Sequence, residues 1–167
     1  MPLTLEEIEL AAVGAAIAAG CKPCTDYHMR KVKETAATDG DIRQAIEIAA
    51  RIRHEAADIM MAHGVRQLGV PGDAEIPASP GETSRIEELV AIGAAFAVNC
   101  TSTLKHHLEA SGKAGISQLE VEAVAKLAHF IKGKAASHVE KLVPLEEASE
   151  ESDDGCGPTE MMSGCCG

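Results

Sequence analysis

Apolar residues in this chain recur every three to four positions, the spacing that places them on one face of an α-helix. One such run has seven apolar positions at this spacing: Ile42, Ala45, Ile46, Ala49, Ile52, Ala56 and Ile59. Many of the other apolar positions are alanines. Alanine is the strongest helix former and, being small, lets helices approach closely. The pattern therefore predicts an all-α fold of closely packed helices.

Polar residues mark the predicted starts of these helices. The spacing of a capping box, in which a hydroxyl residue and an acid three positions later cap each other, occurs four times, at Thr4-x-x-Glu7, Thr38-x-x-Asp41, Ser84-x-x-Glu87 and Ser117-x-x-Glu120. Each capping box is followed by a helical apolar pattern. We expect a helix to begin at each of these positions.

Other residues predict where the helices end. Gly20 and Asn99 are typical stop signals because both tolerate a left-handed backbone. A second helix is predicted from Cys21 to about Ala36, since Pro23 suits a first helical turn. The third is predicted to close at Gly64. Each unit thus contains three helices.

The chain aligns with itself when it is shifted by 79 residues. Without a gap, this shift superimposes Glu9, Cys21 and His28 on Glu88, Cys100 and His107. Alanine-rich helices align easily by chance, but three chemically distinct residues in one frame indicate a tandem duplication. Because a three-helix unit cannot bury all its apolar faces alone, we expect the two units to pack as a pseudo-twofold pair.

Four segments follow from this repeat and from shifts in composition. Residues 1–64 form a first repeat with a complete Cys-x-x-Cys-x3-His motif, and 65–81 form a linker containing proline and glycine. Residues 82–144 form a second, degenerate repeat. Residues 145–167 form an acidic, cysteine-containing tail that we expect to be disordered.

Charge and composition narrow the function classes. The formal net charge is −11, and the tail carries seven of the 26 acidic residues and no basic residue. A mildly acidic body with only 2% aromatic residues argues against nucleic-acid binding, and gives no reason to expect a membrane partner. The acidic start is unlike a signal peptide, so we expect a cytoplasmic protein. There, cysteines are more often catalytic or metal-binding than structural.

The candidate chemistry centres on the octet Cys21-Lys22-Pro23-Cys24-Thr25-Asp26-Tyr27-His28. Two thiols at Cys-x-x-Cys spacing can close a disulfide reversibly, and a helix N-terminus favours the reactive thiolate. His28 falls on the same helical face as Cys24, where it can exchange protons with a thiol. Glu9, an acid on an otherwise small and apolar helix face, is predicted to orient that imidazole. The sequence does not indicate which thiol reacts first.

Two other interpretations remain open at this point. The chain could be a metal- or metalloid-binding protein, because Cys21, Cys24 and His28 are three soft ligands. The three tail thiols could complete such a site or exchange disulfides with the pair: Cys156, Cys165 and Cys166. The chain could instead be a non-catalytic assembly protein that kept the fold.

The second unit keeps the acid, one thiol and the histidine, but Thr103 replaces the second cysteine. Without a thiol pair it cannot close an internal disulfide, so we interpret it as scaffold. Cys100 is predicted to be an inert core residue or an auxiliary thiol. His106 is predicted to lie on the surface.

The pattern Glu9-x11-Cys21-x2-Cys24-x3-His28 on alanine-rich helices resembles the two-repeat form of the alkylhydroperoxidase D / carboxymuconolactone decarboxylase-like family. The resemblance implies an all-α fold, assembly as a homotrimer or hexamer, and peroxidase or peroxiredoxin-type activity. Cys21 and Cys24 would be the redox pair that reduces a peroxide or a protein disulfide, without a further cofactor. His28 and Glu9 would form the proton relay, and a dithiol or lipoyl-type donor would restore the thiols.

Three features depart from the family pattern. Pro23 replaces a residue that is a further histidine in some members, which would shorten the relay. The complete motif lies in the first repeat, whereas the better-known two-repeat members carry theirs in the second. The cysteine-bearing tail is also not part of the pattern. Lactone decarboxylation is disfavoured, because that branch of the family does not depend on a Cys-x-x-Cys pair.

Overall fold

The computed structural model describes residues 2–69 and 83–142. Residue 70 onward in the predicted linker lies outside the described residues, as does the predicted disordered tail with its three cysteines. Within the described ranges the predicted all-α fold is confirmed, with no strand and six helices: α1 (Leu5–Ala18), α2 (Lys22–Val32), α3 (Asp39–Gln67), α4 (Arg85–Ala97), α5 (Thr101–Ser111) and α6 (Gln118–Glu140).

The predicted helix starts are confirmed at all four capping sequences. The hydroxyls of Thr4, Thr38 and Ser84 each accept a hydrogen bond from the backbone N–H three residues on. At Ser117 the backbone N–H and the hydroxyl both donate to the Glu120 carboxylate, at 2.8 and 2.7 Å. Local sequence therefore determines where α1, α3, α4 and α6 begin.

Two predicted helix ends are wrong. Helix α2 ends at Val32, not near Ala36, because the hydroxyl of Thr35 donates to the Val32 carbonyl at 2.6 Å and competes with continuation of the helix. Helix α3 continues through Gly64 to Gln67. The glycine that adopts the left-handed conformation after this helix is Gly69, with φ +76°.

Helices α1 and α4 pack against each other at the centre of the fold, one from each repeat. Their glycines permit a close approach, because a Cβ on Gly14 would lie 2.7 Å from Val90 Cγ1 and one on Gly93 would lie 3.3 Å from the Ala11 carbonyl oxygen. The two glycines are equivalent in the repeat. The units therefore bury their apolar faces against each other, as the sequence predicts.

Arg85 ties the two repeats together at one end of this contact. Its guanidinium pairs with Glu7 of α1 at 2.7 Å and with Glu120 of α6 at 2.6 Å. Hydrogen bonds from Ser117, followed by the one from Arg85, lower the pKa of Glu120 to about 2. None of the helices in the described part of the chain combines the length and apolar character needed to cross a bilayer.

Candidate active site

A tight turn between α1 and α2 positions the first thiol. Gly20 has φ +70°, and the Cys21 N–H donates to the Ala16 carbonyl at 3.1 Å, which closes the end of α1. Arg53 of α3 donates to the Ala18 carbonyl at 2.7 Å, and it fills the space that a Cβ at residue 20 would occupy. This reversal makes Cys21 the N-cap residue of α2.

Cys21 and Cys24 form a disulfide across the first turn of α2. Both residues are buried, with 5% and 8% of their surfaces exposed. The Cys21 sulfur also accepts a hydrogen bond from the Cys24 backbone N–H at 3.3 Å. After reduction, that N–H and the positive end of the helix would stabilise a thiolate.

The carboxylate of Glu9 holds the imidazole of His28. The Nδ1 atom of His28 lies 2.9 Å from Oε2 of Glu9, although α1 and α2 supply the two residues separately. Because a carboxylate accepts, Nδ1 carries the proton and Nε2 is left as the nitrogen that can exchange one. His28 is buried, with 11% of its side chain exposed, and Glu9 is half-buried, with 19% of its side chain exposed.

The second repeat contains the same histidine–carboxylate contact, but there both side chains are fully buried. His107 Nδ1 lies 2.9 Å from Glu88 Oε2, and the two side chains are 2% and 0% exposed. Burial by itself raises the pKa of Glu88, but hydrogen bonds from His107 and Thr83 outweigh that effect and leave the pKa below its ordinary value. The pair is therefore suited to a structural role.

The thiol of the second repeat faces a hydroxyl instead of a second thiol. Cys100 is buried, and its sulfur lies 3.0 Å from the Thr103 hydroxyl oxygen. The neighbouring His106, predicted to lie on the surface, is half-buried and packs edge-on against the His107 ring. The second repeat thus keeps the shape of the first without the residues for disulfide chemistry.

Part of the chain matches a known protein family. Residues 2–57 match the sequence model of the Carboxymuconolactone decarboxylase family. The matched segment covers most of the first repeat, which is therefore similar to this family. The match contains the four predicted site residues, Glu9, Cys21, Cys24 and His28. No curated protein and no solved structure matches the chain. The predicted family resemblance is therefore confirmed, and the catalytic roles assigned to the four residues stay predictions.

One residue beside the thiol pair is not predicted by the sequence patterns above. His138, in the last turn of α6, lies with a ring nitrogen within 4.8 Å of the sulfurs of Cys21 and Cys24. Within the described ranges these three form the one cluster whose geometry suits a metal ion. His28, the third ligand in the alternative metal-binding interpretation, is not part of this cluster.

A departure from the repeat could have revealed His138. The 79-residue shift places it on Ile59 of α3. Ile59 lines a cavity of about 430 Å³ beside Cys100, the thiol of the second repeat. Helices α3 and α6 therefore bring equivalent positions to the two thiol turns. Only the turn with two cysteines receives a histidine there.

Proposed function

We propose that this protein, whose first repeat resembles the carboxymuconolactone decarboxylase family, is a thiol–disulfide oxidoreductase that reduces a peroxide through Cys21 and Cys24. The observation that carries the proposal is the disulfide at the start of α2, the helix that also carries His28 of the Glu9–His28 pair. The thiol pair supplies two electrons, and the imidazole–carboxylate pair supplies a path for protons.

The reaction balances with these groups alone. One thiolate attacks a peroxide oxygen, the O–O bond breaks, and the alcohol leaves with a proton to give a sulfenic acid. The second thiol attacks that sulfur and releases water as the disulfide forms. The two thiols are oxidised by two electrons, and the peroxide is reduced to one alcohol and one water.

His28 would deliver the proton that the leaving alkoxide needs and would take one from a thiol. Glu9 would keep the imidazole in the Nδ1–H tautomer and stabilise its charged form. The equivalent pair in the second repeat is sealed from solvent and has no thiol pair beside it. We therefore assign turnover to the first repeat and scaffolding to the second.

The cycle needs an external reductant, because both electrons come from the thiols. A dithiol donor, such as a lipoyl group or a second protein with a thiol pair, would exchange with the disulfide and leave oxidised. Assembly as a homotrimer or hexamer, and function in the cytoplasm, are further expectations from the resemblance and the sequence. Light scattering on the purified chain tests the first of these.

A coupled assay tests the proposed function. Peroxide consumption is measured with a panel of reduced dithiol donors, using the full chain and its Cys21→Ser and Cys24→Ser variants. We expect turnover with at least one dithiol and a loss of turnover in both variants. Equal peroxide consumption by the Cys24→Ser variant would refute a mechanism through the thiol pair. Cys100→Ser is the matched control and should keep the parent rate.

A further inference from the structure

We propose that the reduced protein binds one zinc ion through Cys21, Cys24 and His138. The two sulfurs and a ring nitrogen of His138 lie within 4.8 Å of one another. Zinc sites have metal–ligand distances of about 2.3 Å to sulfur and about 2.0–2.1 Å to nitrogen, so neighbouring ligand atoms in a tetrahedron lie between about 3 and 4 Å apart. Once the disulfide opens, only small side-chain rotations are needed to reach that geometry.

The donor set is chemically suited to zinc. Two thiolates at Cys-x-x-Cys spacing and an imidazole are among the ligands that zinc prefers. The thiolates sit at the positive end of α2, which favours their deprotonated state. His138 comes from the last turn of α6, where the negative end of the helix favours a cation.

The site would keep one coordination position open. The two cysteines are buried, whereas His138 is exposed. Three protein ligands leave the fourth position of a tetrahedral zinc to water or to an incoming ligand. Within the described residues no further histidine, cysteine or carboxylate joins the cluster.

The comparison between repeats supports a joint role for the three ligands. At the thiol turn of the second repeat, Thr103 stands in place of the second cysteine, and Ile59 of α3 stands where His138 of α6 stands at the first turn. Both replacements remove a metal ligand at the same turn. The chain thus keeps all three ligands at one turn and a single one, Cys100, at the other.

Metal binding and disulfide formation exclude each other, because both use the same two sulfurs. Binding releases two thiol protons as the two Zn–S bonds form. Oxidation of the zinc-bound thiolates by a peroxide would take up two protons and would yield the disulfide, free zinc, an alcohol and water. The inference needs only that the pair can be reduced, so it does not depend on peroxidase activity.

Zinc binding is best measured on the full chain with the three tail cysteines replaced, as Cys156→Ser, Cys165→Ser and Cys166→Ser. This parent is reduced without oxygen, freed of reductant and titrated with zinc against a chromogenic chelator. We expect one bound zinc in the reduced form and none in the oxidised form. Cobalt in place of zinc should give the visible absorption of a tetrahedral thiolate site.

Variants of this parent decide whether His138 is a ligand. Loss of a residue that only hydrogen-bonds to a metal ligand weakens metal binding about 10–100-fold. Loss of a ligand itself should weaken it at least as much, so His138→Ala should weaken zinc binding at least about tenfold. His63→Ala, at an exposed histidine of α3 outside the cluster, should match the parent. Circular dichroism verifies that both variants fold.

Three results would overturn the proposal. These are equal zinc affinity in His138→Ala and the parent, retention of zinc by the oxidised protein, and no zinc in the reduced protein. A change in peroxide turnover in His138→Ala with unchanged zinc affinity would make this residue an acid or base and would also overturn the metal site. Failure of zinc binding with normal turnover would leave the proposed oxidoreductase function standing.

Discussion

His28 Nδ1 lies 2.9 Å from Glu9 Oε2, and this contact joins α1 to α2, the helix whose first turn carries the thiol pair. The equivalent contact between His107 and Glu88 has the same length. The two pairs differ in solvent exposure, because the side chains of the first pair are slightly exposed and those of the second are fully buried. One fold therefore holds two copies of the same pair, and the first copy keeps more contact with solvent than the second.

We expect Glu9→Gln to lower peroxide turnover by about 10²-fold or more, the usual size of a general acid–base contribution. The amide can still hydrogen-bond, but it cannot stabilise a charged imidazole. The measurement is kcat as a function of pH. The pH dependence of kcat that comes from the Glu9–His28 proton relay should disappear in the variant. Its melting temperature should stay near that of the parent. An unchanged rate would remove Glu9 from the mechanism.

Glu88→Gln is the matched substitution in the second repeat. It should leave kcat unchanged, because no thiol pair lies beside it. Glu88→Ala, by contrast, should reduce the free energy of unfolding by about 1–3 kcal/mol, since it leaves the buried His107 without its partner. Urea denaturation measures this loss. Equal effects of Glu9→Gln and Glu88→Gln on turnover would contradict the assignment of catalysis to the first repeat.

Gly14→Ala should destabilise the protein by about 1–3 kcal/mol, because the added methyl would lie 2.7 Å from Val90 Cγ1 in the central α1–α4 contact. Gly133→Ala is the control within α6. No atom lies within 4 Å of a Cβ built there, so alanine should raise stability by up to about 1 kcal/mol. Thermal unfolding compares the two. A stabilising Gly14→Ala would show that the helices are not in such close contact.

The stability of the protein should fall as pH drops from 4.5 to 2, partly through Glu120. The pKa of this residue is lowered from 4.5 to about 2 by hydrogen bonds from Ser117 and then Arg85. A depressed pKa in the folded state contributes stability that is present above the unfolded pKa and is lost as pH falls through the folded one. The Glu120→Gln variant should therefore be less stable than the parent at neutral pH, and its stability should fall less than that of the parent on acidification. Urea midpoints across this pH range test the expectation, and parallel curves for the two proteins would contradict it.

Much of the fold follows from local sequence. Capping sequences such as Thr38-x-x-Asp41 determine helix starts through contacts within four residues, and such contacts can be predicted from sequence. Helix ends were harder to predict. Gly64 is tolerated inside α3 because its backbone stays helical, and the stop comes five residues later at Gly69, where φ is positive.

The candidate site was predicted unevenly for a physical reason. The internal repeat predicted that Glu9, Cys21 and His28 belong together, because duplication preserved all three in one frame. His138 reaches the thiols only through the packing of α6 against α2, which no local pattern encodes. Sequence periodicity predicts which face of a helix is buried, but not which residue of a distant helix meets a given turn.

The most direct test of the central claim is a single-turnover oxidation of the reduced chain with its three tail cysteines replaced by serine. One equivalent of peroxide is added, and mass spectrometry of peptides locates the product. We predict a Cys21–Cys24 disulfide formed in proportion to the peroxide consumed, with Cys100 still reduced. Peroxide consumption that leaves Cys21 and Cys24 as free thiols would contradict the account.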